Sequence, residues 1–182
     1  SIIKKLDSKI KKAIDLSFVR IKDFHKKQIN NTFRFKDNFG NELGYKYTPI
    51  NKIGIYIPGG KASYPSTVIM NSVPAIVAGV KNIFAVVPAP NNELNAGVIY
   101  AAKICGIKKI FRIGGAQAIA ALAYGTESIE KVDKIVGPGN IFVATAKKEV
   151  FGQVGIDMIA GPSEITVVAG PENIHPGKPI NC

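Results

Sequence analysis

Cysteine is scarce in this 182-residue chain. Cys105 and Cys182 stand alone with no C-x-x-C pair, which excludes a disulfide framework and gives no zinc-ribbon or thiol redox motif. Long apolar runs are missing too: no stretch of about 18 uninterrupted apolar residues occurs, so no membrane-spanning helix is predicted. The amino terminus scatters lysine among apolar residues, unlike the charged-then-apolar order of a secretory signal. A reducing, cytoplasmic setting is therefore expected. Histidine is limited to His25, in a basic stretch, and His175, among Pro and Gly. Both read as surface or capping residues. The chain shows no set of metal ligands and no nucleophile beside a base.

Arginine is the other shortage. Of 24 basic residues only Arg20, Arg34 and Arg112 are arginine, against a net charge of +11. Lysine is a poor substitute where phosphate or guanine must be held by two parallel hydrogen bonds. Residues 1–36 hold 11 basic and 3 acidic residues, so +8 of the +11 lies there. A solvated lysine face is expected rather than a nucleic-acid surface. The remaining composition, 46% hydrophobic with 18 Gly and 11 Pro, suits one soluble domain or slightly more. A chain of this length buries ~70% of its unfolded surface and needs no cross-link to hold a core.

Ile3, Leu6, Ile10, Ile14, Ile21 and Phe24 recur at helical spacing and predict an amphipathic helix within residues 2–28. The pattern is already under way at Ser1, so sequence upstream of it is expected. Phe33 and Phe35, then Leu43, Tyr45 and Tyr47, alternate with polar residues around Asp37-Asn38-Phe39-Gly40-Asn41, which predicts a β-hairpin. From Lys52 onward short β-branched runs recur at 53–57, 83–87, 110–113, 134–136 and 165–168. The first four each lead into a Gly/Pro turn and then a helical stretch, such as the one from Leu94 that stops near Gly106. Strand, turn and helix at roughly 25-residue intervals predict a parallel α/β sheet with right-handed crossovers. Near-continuous apolar strands agree, since such a sheet is covered on both faces.

The turns leaving the carboxyl ends of such strands share one edge, where ligands of open α/β sheets bind. Glycine admits close approach there, and helix amino termini offer N–H groups to anions. Neither a P-loop nor a complete G-x-G-x-x-G is present. Tyr56, at a strand end, reads as a core aromatic or as a platform for a base. Gln117, just inside the helix over 116–124, reads as a capping or buried amide or as a ligand contact. Asn140 reads first as a helix cap. Lys61 is an exposed loop lysine or a phosphate contact. Ser163 has no histidine near it in sequence to activate it. Cys105 reads as a small buried hydrophobe.

Four motifs then converge. Tyr56-Ile57-Pro58-Gly59-Gly60, the run from Gly114-Gly115-Ala116-Gln117 to Tyr124-Gly125-Thr126, Val132-Asp133-Lys134-Ile135-Val136-Gly137-Pro138-Gly139-Asn140, and Gly161-Pro162-Ser163-Glu164 occur in this order. With Phe24-His25-x-x-Gln28 they resemble the histidinol dehydrogenase family over residues 20–169. The resemblance implies a zinc-requiring, four-electron oxidation of L-histidinol to L-histidine that reduces two NAD+, in histidine biosynthesis. It implies that Tyr56, Gln117 and Asn140 bind NAD and that Ser163 contacts substrate. The implied fold is α/β: a Rossmann-like parallel sheet with flanking helices, preceded by the amphipathic helix and the hairpin. Residues 1–57 would belong to an incomplete first domain, 58–162 to a compact Rossmann-like domain, and 163–182 to the return to the first. Family members pair as homodimers.

The departures are equally specific. The family's Gln-Ala-Glu-His motif, its Glu–His acid–base pair and its remaining zinc ligands have no counterpart here, and neither His25 nor His175 takes their place. From about Gly170 the sequence is expected to leave the family pattern, as after a frame change or an altered gene. The 182 residues are therefore expected to be a fragment without catalysis of its own. A residual NAD-binding module is the alternative, and a poorly folding product of a broken gene is a third reading.

Overall fold

A computed structural model describes residues 2–59 and 63–159. The predicted amino-terminal helix is interrupted. Ile2–Lys5 form a 3-10 turn, and helix α1 (Ser8–Lys26) starts afresh where the Asp7 carboxylate accepts the Lys9 N–H at 2.6 Å. An aspartate that binds the amides of the following turn is an N-cap, and a cap ends whatever precedes it. The hairpin forms from β1 (Phe33–Lys36) and β2 (Glu42–Tyr45), antiparallel, with Phe33 opposite Tyr45. Its turn is tied by Asp37, which accepts the N–H groups of Phe39 and Asn41 and the Asn41 side-chain amide. Tyr47, counted in the predicted second run, lies beyond β2.

The rest alternates as predicted: β3 (Lys52–Tyr56), α2 (Pro65–Val77), β4 (Asn82–Val86), α3 (Ala96–Ile104), β5 (Lys109–Phe111), α4 (Gly115–Tyr124), β6 (Lys134–Val136), α5 (Ile141–Glu149) and β7 (Gly155–Ile156). The five strands β3–β7 form one all-parallel sheet in the order β5-β4-β3-β6-β7. From β3 the chain builds outward to β5, then returns to the other side of β3 and builds outward again. That reversal is the topological switch point of a Rossmann-like sheet. Because β3 is its central strand, the sheet runs across the 57/58 boundary expected from sequence. The two-residue β7 was not anticipated, since Gly155-Ile156 is too short to show a period. The run at 165–168 lies outside the described residues.

Side-chain alternation along the strands divides the core in two. Ile53, Ile55 and Ile57 of the β3 region, with Ile83, Ala85 and Val87, pack against Val68, Ile69 and Val73 of α2, Val98 and Ala101 of α3, and Ile14 of α1. On the other face Tyr56, Phe84, Val86 and Ile135 pack against Ala118, Ile119 and Leu122 of α4 and Val143 of α5. Gly54 leaves room for α4: a Cβ there would lie 2.8 Å from both Leu122 methyls. Strand β5 is only partly covered, with Lys109 exposed, so the expectation of burial on both faces holds for the inner strands and not for this edge.

Candidate functional site

Four turns leave the carboxyl edge of the sheet, and steric contacts join them into one rim. Gly59, after β3, sits so near Pro88 that a Cβ on it would lie 2.5 Å from the Pro88 carbonyl oxygen. Gly114, after β5, abuts the other side of Pro88, and a Cβ there would run into the pyrrolidine ring. Gly137, after β6, is buried with φ +113°, and a Cβ on it would overlap the Tyr56 carbonyl oxygen. The glycines are thus required by the close approach of neighbouring turns, and at Gly137 also by a backbone conformation that other residues rarely adopt.

Tyr56 extends this joining with its side chain. The ring is 4% exposed, within the α4/α5 core, and its hydroxyl oxygen accepts the Gly115 N–H at 3.0 Å. Gly115 is the first residue of α4, whose N-cap Gly114 has no side chain to bond with the helix amides. Tyr56 therefore does the work of a cap from a different strand. Gln117 is exposed two residues further on, and its carboxamide folds back over Gly115, where a Cβ would lie 2.8 Å from Oε1. Asn140 is the N-cap of α5: its Oδ1 accepts the Val143 N–H at 3.1 Å, and its amide nitrogen makes no hydrogen bond to the described residues. The structure links Tyr56 directly to the start of α4 and, through Gly137, to the turn that carries Asn140. Ser163 and Lys61 lie outside the described residues.

Against the Gly137 turn lies an ion pair that has no local signature in the sequence. Lys147 is 4% exposed and pairs with Asp157; its Nζ also donates to the Gly137 carbonyl at 3.0 Å. Asp157 Oδ2 accepts the Gly137 N–H at 2.8 Å. Burial pushes the Asp157 carboxyl up, but hydrogen bonds from Lys147 and from the Gly137 and Met158 amides outweigh it and leave the group below its ordinary value. In sequence Lys147 looks no different from its exposed neighbour Lys148.

The remaining candidates have plainer places. His25 stands in the last turn of α1 with Nδ1 2.6 Å from Gln28 Oε1, and Cys105 is 5% exposed, its thiol pushed up to about 11 by burial. A cavity of about 580 Å³ carries none of the rim residues. It opens near the amino ends of β3 and β6, between Ile53, Lys134, Pro49, Pro74 and His25. A cleft of about 60 Å³ does lie on the rim, between Gly59, Pro88 and Asn95. Among the described residues no group of three or more His, Cys, Asp or Glu is placed to hold a metal ion, so the zinc chemistry implied by the motifs finds no donor set among them. No helix among them is long and apolar enough to cross a membrane.

The comparisons with known proteins agree with one another. A family model described as histidinol dehydrogenase matches residues 1–176, past Ala169, near which a departure was expected. The chain is 59% identical over 168 residues to the histidinol dehydrogenase of Acinetobacter baylyi, covering 92% of this chain and 39% of that protein. It is 59% identical over 167 residues to that of Pelagibacter ubique, covering 91% and 39%. The crystal structure of histidinol dehydrogenase from Elizabethkingia anophelis matches with a TM-score of 0.85 at 42% identity, over 89% of this chain and 38% of that one. The chain spans about two fifths of the length of the curated relatives it matches. With its motifs, its sheet order and these likenesses in accord, the chain belongs to the histidinol dehydrogenase family.

Proposed function

We propose that this chain supplies the NAD-binding rim of a histidinol dehydrogenase, and that the 182 residues bind the cofactor without oxidising histidinol. The whole protein's reaction on this reading is the zinc-requiring conversion of L-histidinol to L-histidine with two NAD+ consumed. One observation carries the assignment: the turns after β3, β4, β5 and β6 meet at the switch point of the sheet, with no room for a Cβ at Gly59, Gly114 or Gly137. An edge of this kind, with the amino termini of α4 and α5 opening beside the joined turns, suits the pyrophosphate of a dinucleotide.

The roles follow from the side chains. Tyr56 fixes the first amide of α4 and so the direction of that helix end. Gln117 offers a carboxamide with both donor and acceptor atoms at the surface. Asn140 spends its oxygen on α5 and keeps two N–H donors for a ligand. When bound, the nicotinamide cofactor supplies the hydride acceptor for the alcohol. Proton removal and metal binding fall to residues that this stretch of the family does not contain. Ser163 is the proposed substrate contact.

Titration of the chain with NAD+ in a calorimeter tests this directly. Binding is expected for the parent and is weakened about tenfold in Gln117→Ala, the loss of one good hydrogen bond, and by at least as much in Asn140→Ala, which also removes the α5 cap. Histidinol, NAD+ and zinc together should give no NADH absorbance above blank. Absence of heat at millimolar NAD+ refutes the cofactor assignment, and steady NADH production refutes the inactivity.

A further inference from the structure

The Lys147–Asp157 pair holds both polar atoms of one residue. Gly137 gives its N–H to Asp157 and its carbonyl accepts from Lys147, while Asp157 also accepts the Met158 N–H at 2.8 Å. Three elements meet there. Lys147 comes from the distal part of α5, its long side chain reaching back toward the helix amino terminus as helical side chains do. Asp157 directly follows β7, and Gly137 directly follows β6. Above the pair, the turn has no freedom to drift toward β3, because Gly137 is in contact with the Tyr56 backbone.

A buried ion pair is a poor way to add stability. Replacing one by apolar groups of similar volume is often neutral or better, whereas removing one partner is costly. What the pair offers that an apolar contact cannot is a directional hold on a peptide group. Gly137 sits at φ +113°, a conformation open to glycine and therefore one that glycine also leaves easily. We propose that Lys147 and Asp157 are positioning residues: by fixing the peptide groups of Gly137 they aim Pro138-Gly139-Asn140 and the start of α5 at the ligand side of the rim. This inference rests on the NAD reading of the rim, and neither residue is held to touch the cofactor.

The decisive comparison is between stability and affinity in the full 182-residue chain. Lys147→Met should lower both the melting temperature and the affinity for NAD+. The double variant Lys147→Met/Asp157→Leu leaves no unpaired charge, so part of the melting temperature returns, the remainder staying lost with the unpaired peptide groups of Gly137. Its affinity should nonetheless stay about tenfold below the parent, because Gly137 is no longer held. If affinity returns together with stability, the pair is structural only and the proposal is overturned. Backbone amide exchange gives a readout that needs no ligand. Peptides covering 137–140 should exchange about tenfold faster in the double variant while α4 is unchanged, and equal exchange overturns the proposal. Should the parent bind no NAD+, the cofactor reading fails, while exchange still decides whether the pair holds the turn. If the double variant does not fold, Asp157→Asn, of the same shape, replaces it in both measurements. Its loss of affinity should exceed about threefold, since both Asp157 oxygens accept from N–H donors and the amide nitrogen of Asn turns a donor on one of them.

Discussion

At Tyr56 the ring is taken up by the core and the hydroxyl by the next helix, which leaves no open face for a base to stack on. An aromatic at a strand end suggests either core packing or a surface for a base, and the sequence does not decide between them. The ring is core, and the hydroxyl is the part turned toward the rim, bonded to the Gly115 amide. Tyr56→Phe keeps the packing and removes the partner of that amide. It should lower stability by about 0.5–1.5 kcal/mol, the net worth of one half-buried hydrogen bond, in urea unfolding, and should weaken NAD+ binding in the same preparation. Asn140 shows the same economy. The capping role expected of it is present, and its remaining amide donors are what the cofactor reading uses. Cys105 is the small buried hydrophobe it was read as, with burial raising its thiol well above neutrality. Lys147 was illegible for a simple reason: a lysine that reaches back ten residues to a turn leaves no local pattern.

The elements were legible where their period or their punctuation was strong. Ile53 to Ile57 and Ile83 to Val87 announce inner strands, and the glycine and proline turns after them announce the rim. Local competition blurred the rest. Asp7 caps a new helix inside what periodicity alone extends through residue 2, and β7 is held by pairing with β6 rather than by its own residues. The turn after β6 is the element on which the proposed site depends, and its Gly137 is set apart by comparison with Gly152, between α5 and β7. Gly137 and Gly152 both have positive φ, but only Gly137 faces backbone at contact distance; Gly152 has nothing within 4 Å. Gly152→Ala should cost about 1–2 kcal/mol from conformation alone. Gly137→Ala should cost at least about 2 kcal/mol more, because rigid Tyr56 backbone must move, and should abolish measurable NAD+ binding. Equal melting temperatures for the two variants would contradict this account of the turn.

At the scale of the molecule, the two edges of the sheet differ in make-up: joined glycine turns at the carboxyl edge, charged side chains at the amino edge. The amino edge carries an ion cluster: Glu130 accepts from Lys109 at 2.7 Å and from Lys52 at 2.9 Å, and Lys52 N–H donates to Asp133. Hydrogen bonds from Lys109 and Lys52 hold the Glu130 carboxyl down to about 2. A carboxylate depressed in the folded state stabilises above its unfolded value, near 4.3, and that contribution is lost as pH falls through the folded value. Glu130→Gln should therefore melt below the parent at pH 6, with the gap closing toward pH 2 and narrowing in high salt. NAD+ affinity should be unchanged in this variant, since the cluster lies at the far edge. The hairpin leaves Phe33, Phe35, Phe39 and Tyr45 exposed, in a chain about two fifths the length of its curated relatives. The central claim concerns the carboxyl edge, and amide chemical shifts followed during an NAD+ titration test it most directly. The account predicts saturable shifts at Gly59, Gly115, Gln117, Gly137 and Asn140, with Lys52, Lys109 and Glu130 unmoved. Shifts clustered instead around the cavity between Pro49, Pro74 and Lys134, or none at the four turns, would contradict it.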